Sequence, residues 1–205
     1  MYVTNCVAEI YAPYSTEKTV LNASKSRFAN TYISPTYKPQ TRLSQRPIIW
    51  EQYLHRFMPA TELCWYEGEE QSKFPQQNYF EQWIAHRVQM PHEPPEVALI
   101  LRGEQGTGKS FTFDNILRPI LGITNYEALN LKAIKGQFNQ SVFRNVCIQI
   151  EEANTTEDKY SSDRNKTAEK LKPLITQSLH RVEEKFIPSS QQAKHFGLAL
   201  TSNFD

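Results

Sequence analysis

Cysteine is scarce in this sequence and scattered where it occurs. Cys6, Cys64 and Cys147 stand far apart, with neither a CxxC pair nor the Cys/His spacing of a metal site. That speaks against a disulfide framework or a zinc ribbon, and the three read as reduced thiols of an intracellular protein. Long apolar runs are missing as well. The longest are too short to span a bilayer, and the N-terminus lacks the basic-then-apolar order of a signal peptide. The chain therefore reads as soluble and cytoplasmic. Charge of one sign is lacking too: 23 basic and 22 acidic residues leave a formal net charge of +1. No overall field announces a nucleic-acid partner, but a local basic patch would vanish in such a sum. There are no internal repeats. The 205 residues suffice for one large domain, or for one domain with a substantial extension.

What is present is organised in three stretches. Residues 1–47 are polar, with prolines in the last third and little periodicity, and read as an irregular lead-in or linker lying on something else. Residues 48–94 read as a helical region. One helix is predicted from Ile48, where Ile49, Trp50, Tyr53, Leu54 and Phe57 recur at helical spacing, and Pro59 ends it. "EGEEQSKFPQQ" is a loop by composition. A second helix is predicted from Gln76 to Gln89 with an apolar stripe of Tyr79, Phe80, Trp83, Ile84 and Val88, stopped by Pro91. Aromatics at such spacing face a core more often than they stack on bases.

From residue 95 the pattern changes. "VALILRG" and "VCIQI" are short continuous apolar runs of the kind found in buried parallel strands, and "FGLALTSN" is a third. A helix is predicted from Lys109 until Pro119 and Gly122 break it. "KTAEKLKPLITQSL" is helical with Pro173 inside it, and "RVEEKFIP" reads as an extended, hairpin-like segment. Strands alternating with helices predict an α/β fold with a parallel sheet flanked by helices.

The first strand runs into "GEQGTGKS", Gly103 to Ser110. Binding phosphate takes three properties, and this stretch has each. Gly103, Gly106 and Gly108 let backbone N–H groups converge on phosphate oxygens. Lys109 brings a point charge to the β- and γ-phosphates, and Ser110 offers a hydroxyl to Mg²⁺ at the start of the next helix, where the dipole also favours an anion. A chance match to this pattern in a chain of this length arises about once in a hundred. The strand before it and the helix after it are the context the motif requires, against the bland alternative of a glycine-rich surface turn. "VCIQIEEA" places Glu151 and Glu152 at the end of a buried strand, where ligands of open α/β sheets gather. In a P-loop ATPase the first such acid helps to hold Mg²⁺ and the second polarises the attacking water. A solvated glutamate pair is the alternative. Asn203, at the tip of "LTSN", is a candidate to touch the γ-phosphate or the lytic water, although asparagine after a strand is also an ordinary turn residue.

"GEQGTGKS", "IKGQFNQSVFRNVCIQIEEAN", "KLKPLITQSLHRVEEKF" and "LALTSN", taken in this order, resemble the superfamily 3 helicases. They are most similar to the helicase part of phage, virus and plasmid primase–helicases. "YFEQWIAHRVQMP" resembles the Trp-containing helix that precedes the phosphate loop in those proteins. The likeness covers about residues 48–205. It implies a P-loop NTPase fold of AAA+ type, a hexameric ring, ATP and Mg²⁺ as cofactors, and translocation on single-stranded DNA during replication, with a primase or polymerase as a further candidate partner. By position it implies that Gly103, Gln105, Gly106, Thr107, Gly108, Lys109, Ser110 and Phe111 bind nucleotide. Ser110 and Glu151 would hold Mg²⁺, and Lys109, Glu152 and Asn203 would act in catalysis. "KLKPLITQSLHRVEEKF" looks like the helix and hairpin that reach into the ring channel. Lys185, with Lys172 and Arg181 behind it, is then a candidate for DNA contact, and Lys194 and His195 are expected near the hairpin tip. Either these five meet DNA phosphates or they form a solvated basic face.

Three departures qualify the resemblance. The family's arginine finger lies beyond the point matched by Asp205, so the motor is expected to be truncated after "LTSN". Such a finger is worth about 10³–10⁵ in rate, so slow hydrolysis is expected of this chain alone. No acidic cluster or zinc ribbon of a primase precedes the motor. Glu151 also stands where the family usually has Asp, one methylene shorter. Two other readings compete: a nucleotide-gated DNA-binding initiator or loader with little turnover, and a small-molecule or nucleoside kinase, which would need a second pocket with Arg clamps.

Overall fold

The computed structural model describes residues 8–21, 23–35, 46–58, 75–130, 140–151, 169, 171–184 and 187–203. At its centre lies a four-stranded sheet built from β4 (Leu99–Arg102), β5 (Tyr126–Asn130), β6 (Cys147–Glu151) and β9 (Gly197–Ser202), in the order β4-β9-β6-β5. Every neighbouring pair is parallel, so all four C-terminal ends open on one edge. β6 and β9 are central and buried on both faces, as their apolar sequences predict. β4 differs from expectation. It is an edge strand whose Leu99 and Leu101 turn inward while Ile100 stays 57% exposed.

The pleat divides the core in two. Cys147 and Ala199 face a layer made by α1 (Ile48–Phe57), α2 (Pro75–Gln89) and the helical stretch after β4, with Leu54, Phe80, Trp83, Phe113 and Leu117 at its heart. Ile148, Ile150, Leu198 and Leu200 face the other way, onto Val142, Phe143, Val182 and residues 171–176, which are helical. Full burial of a leucine such as Leu54 stabilises the fold by about 2 kcal/mol. The stripes of α1 and α2 are narrower than their spacing suggests, since Ile49 and Tyr79 are exposed.

Pro119 does not end the helix that begins at Lys109. The chain passes from α3 (Lys109–Phe111) through a π-helical stretch, Thr112–Leu117, into α4 (Arg118–Leu121). Proline lacks an N–H, and its ring collides with the carbonyl four residues back. In the wider π turn that precedes it, Arg118 N–H donates to Phe113 O five residues earlier, so the helix is already widened where the proline enters. Gly122, at φ +91°, then stops the helix.

Two further elements escaped the sequence pattern. β5 reads "YEALN", half polar because it is the other edge of the sheet. Within the expected irregular lead-in, β1 (Ala8–Ile10), β2 (Thr19–Leu21) and β3 (Arg27–Asn30) form a small mixed sheet in the order β1-β3-β2. Asn30 organises it. Its Oδ1 accepts from the N–H groups of Ala12 and Tyr32, and its Nδ2 donates to the carbonyls of Ala12, Ser15 and Glu17. No apolar run announces such a sheet. Finally β7 (Leu179–Glu184) and β8 (Ile187–Ala193) pair as the predicted antiparallel hairpin.

Candidate functional site

The C-terminal edge of the central sheet gathers the described residues of the candidate nucleotide site. Arg102 of β4 pairs with Ser202 of β9, and Gly103 N–H donates to Ser202 O at 3.3 Å, so the glycine-rich loop leaves the sheet beside Asn203. Ile150 of β6 pairs with Leu200, which sets Glu151 at the same edge one strand further on. Strand spacing puts β6 about 10 Å from β4. Open parallel sheets gather their ligands at this edge.

Within the loop, Gly106 at φ +86° and Gly108 at φ +92° take the left-handed conformation that side chains resist. Space alone would allow a methyl at either: nothing lies within 4 Å of a Cβ on Gly106, and Phe57 Cδ2 lies 4.0 Å from one on Gly108. The backbone angle is therefore what demands glycine. Lys109 opens α3 and is buried at 7% exposure, its Nζ donating to Gly103 O and Glu104 O at 2.7 Å each and to Thr107 Oγ1 at 3.2 Å. Thr107 Oγ1 in turn donates to Glu104 O at 2.9 Å. The ammonium thus closes the loop on itself, held by carbonyl oxygens. Gln105, Ser110 and Phe111 are exposed, as are Glu151 and Asn203. Glu152 and Lys185, and the "GQFN" segment, lie outside the described residues.

Two interactions behind this edge left little trace in the sequence pattern. A buried polar chain crosses the sheet: the Tyr126 hydroxyl meets Gln149 Oε1, Gln149 Nε2 donates to Thr201 Oγ1 at 3.4 Å, and Thr201 donates to Ile150 O at 3.4 Å. Burial, with Asp114 beside it, pushes the Tyr126 phenol pKa far up, so the phenol stays a donor. The signal available was a glutamine inside the apolar run "VCIQI". On the other side, the Tyr53 hydroxyl of α1 meets Thr112 Oγ1, directly after the loop.

The candidate DNA-contacting residues separate. Lys172 and Arg181 are exposed, Arg181 on β7 with its Nε 3.5 Å from Glu183 Oε1. Lys194 and His195 are not near the hairpin tip. Leu179 pairs with Ala193 at the foot of the hairpin and Glu184 with Ile187 at the far end, so residues 194 and 195 follow the foot. Lys194 is 4% exposed, its Nζ donating to Leu174 O at 3.1 Å and Ile175 O at 2.5 Å, and burial holds its pKa down to about 8. His195 is half-buried, with Nδ1 donating to His92 O at 3.0 Å and its pKa lowered by burial. Spacing cannot distinguish a lysine at a hairpin tip from one satisfying carbonyls at its foot.

Among the described residues no cluster of His, Cys, Asp or Glu has the makings of a protein-only metal site, and no helix is long and apolar enough to cross a membrane. The architecture is that of an α/β protein, a parallel sheet flanked by helices with a glycine-rich loop at its C-terminal edge, and is consistent with a P-loop-like fold. Residues 101–205, just over half of the chain, match the family described as "Family of unknown function (DUF5906)", and the chain belongs to that family. The apo structure of the NrS-1 C-terminal region superposes with a TM-score of 0.74 at 18% identity, over 97% of this chain and 43% of that one. Its A form does so at 0.70, also at 18% identity, over 96% and 42%. The shared fold is thus shown, and this chain spans under half of the NrS-1 region it matches. A JCV helicase structure matches at a TM-score of only 0.46, with 13% identity over 75% of this chain and 39% of that one. No curated protein matches the chain in sequence.

Proposed function

We propose that this chain is the ATP-binding and hydrolysing core of a superfamily 3-like DNA helicase that serves the replication of a phage, virus or plasmid. The observation that carries the reading is the convergence of Lys109, two left-handed glycines, Glu151 and Asn203 at one edge of a parallel sheet. Parallel α/β sheets bind their ligands at this edge, and an array of backbone N–H groups with one ammonium suits a polyphosphate.

On this reading Lys109 exchanges its bonds to Gly103 O and Glu104 O for phosphate oxygens, and the exposed Ser110 hydroxyl and Glu151 carboxylate hold Mg²⁺. The metal supplies neutralisation of charge on the transferred phosphoryl group. Glu152 takes a proton from the attacking water, and Asn203 orients that water. Single-stranded DNA runs past the β7–β8 hairpin, where Lys172, Arg181 and Lys185 meet its phosphates, in a ring of like subunits.

Steady-state ATP hydrolysis with and without single-stranded DNA, measured beside Lys109→Ala, tests the proposal. DNA-stimulated turnover that the substitution abolishes, with cooperative unfolding intact, is the expected result. Tight ATP binding with negligible turnover would reduce the chain to a nucleotide-gated binding module. Equal turnover in Lys109→Ala would remove the phosphate-loop reading altogether.

A further inference from the structure

Helix α1 touches the glycine-rich loop through a row of aromatic rings. Trp50 stacks on Tyr53 with centroids 5.4 Å apart and planes 23° apart, and Tyr53 on Phe57 at 5.4 Å and 15°. The row ends at the loop, because Phe57 Cδ2 is the nearest atom to the Cβ position of Gly108. α1 is anchored along its length. Trp50 Nε1 donates to Glu81 Oε1 at 2.5 Å, Arg46 pairs with the same carboxylate at 2.7 Å, and Gln77 Nε2 donates to Met58 O at 2.6 Å. This ladder is therefore fixed to α2 at both ends.

The proton count along the contact gives it direction. Thr112 Oγ1 donates its single hydrogen to Gly108 O at 2.9 Å, and Thr112 N–H donates to the same oxygen at 3.0 Å. With that hydrogen used, the bond between Tyr53 and Thr112 has the phenol as donor. Burial raises the phenol's pKa, which keeps it protonated. The Gly108 carbonyl belongs to the peptide unit whose N–H is that of Lys109. In a planar trans peptide the two groups point opposite ways, so holding the oxygen aims the N–H toward the loop's mouth.

We propose that Tyr53 is a positioning residue for the phosphate loop: through Thr112 it fixes the Gly108–Lys109 peptide in the orientation that presents its N–H to a bound phosphate. The proposal rests on the phosphate-loop reading above and adds to it a residue some fifty positions upstream, on a different helix. Tyr53 does not touch the nucleotide.

Tyr53→Phe keeps the stacked ring and deletes only the donor, Thr112→Val deletes the relay at equal volume, and Thr112→Ser retains it. ATP affinity, from a fluorescent analogue displaced by ATP, and the unfolding midpoint are measured for each and for the Tyr53→Phe/Thr112→Val double variant. Expected are losses in affinity of about three- to tenfold in each of the two deletions, the usual worth of one hydrogen bond. The double variant should be no weaker than the worse single one, and Thr112→Ser should bind like the parent. A purely structural tie would lower the midpoint and leave ATP affinity alone, which overturns the proposal. So do losses that simply add in the double variant. Should Thr112→Val fail to fold, Tyr53→Phe and Thr112→Ser decide alone. The two readings fail differently. If the parent binds no ATP, the phosphate loop itself is refuted, whereas a parent that binds and a Tyr53→Phe variant that binds equally well refute only the role of Tyr53.

Discussion

Gly197 opens β9 beneath the side chain of Arg87, and the space there is already taken. A Cβ would lie 2.7 Å from Arg87 Cδ, 2.9 Å from Trp83 Cζ2 and 3.1 Å from Pro95 Cγ. None of the three is free to yield. Arg87 is fully buried, its Nη1 donating to His195 O at 3.0 Å and its Nη2 to Met90 O at 3.2 Å and to Glu93 O, and burial draws its pKa down to about 10. Gly197→Ala should thus destabilise the fold by about 1–3 kcal/mol through overpacking, measured as a lower urea midpoint at constant slope. An unchanged midpoint would mean that the arginine relaxes at no cost. At this scale the sequence is informative where a residue type marks a backbone need, as for Gly106 and Gly108 with their left-handed φ. It is silent on Arg87 and Lys194, since a basic residue in a polar stretch carries no mark of the carbonyl oxygens it will meet.

Among the elements, the helical residues 171–176 end against a cation from the far side of the hairpin. Lys194 satisfies the carbonyls of Leu174 and Ile175, which the helix end leaves without partners. The arrangement has a pH signature. The folded-state pKa, about 8, lies below the ordinary lysine value of 10.5, so the unfolded chain binds more protons between the two. Stability therefore rises with pH across that window, and the burial penalty is fully present below it. Lys194→Met removes both the penalty and the carbonyl contacts. The stability difference, Lys194→Met minus parent, should fall steadily from pH 7.5 to pH 10, as denaturant titrations at each pH would reveal. A difference flat in pH would show that the lysine titrates normally. The elements the sequence declares are those with a strong period and clear stops: α1 and α2 lie within a residue or so of their predicted bounds, framed by prolines. β5 and the β1–β3 sheet are edge or surface structures, held by side-chain bonds such as those of Asn30, and leave no apolar period to find.

For the molecule as a whole, Asn125 joins the small N-terminal sheet to the central one. Its Oδ1 accepts from the Tyr11 hydroxyl at 3.0 Å, its Nδ2 donates to Ile33 O and Leu121 O at 2.8 Å each, and its backbone O accepts from Val146 N–H at 2.8 Å. Asn125→Ala leaves the phenol and two carbonyls without partners and should cost about 2–4 kcal/mol. Hydrogen exchange should show the β1–β3 amides losing more protection than those of β6 and β9; uniform loss would mean that the small sheet has no stability of its own to lose. The order of strands carries one more implication, for synthesis. β9 lies between β4 and β6, so neither of those has its neighbour on that side until residue 202 has been made. A nascent chain leaving the ribosome at about 5–20 residues per second therefore carries β4 without this neighbour while the hundred or so residues after it emerge, and β6 without it over the second half of that stretch. Closure awaits β9, and until then the half-made sheet needs shelter from its own kind.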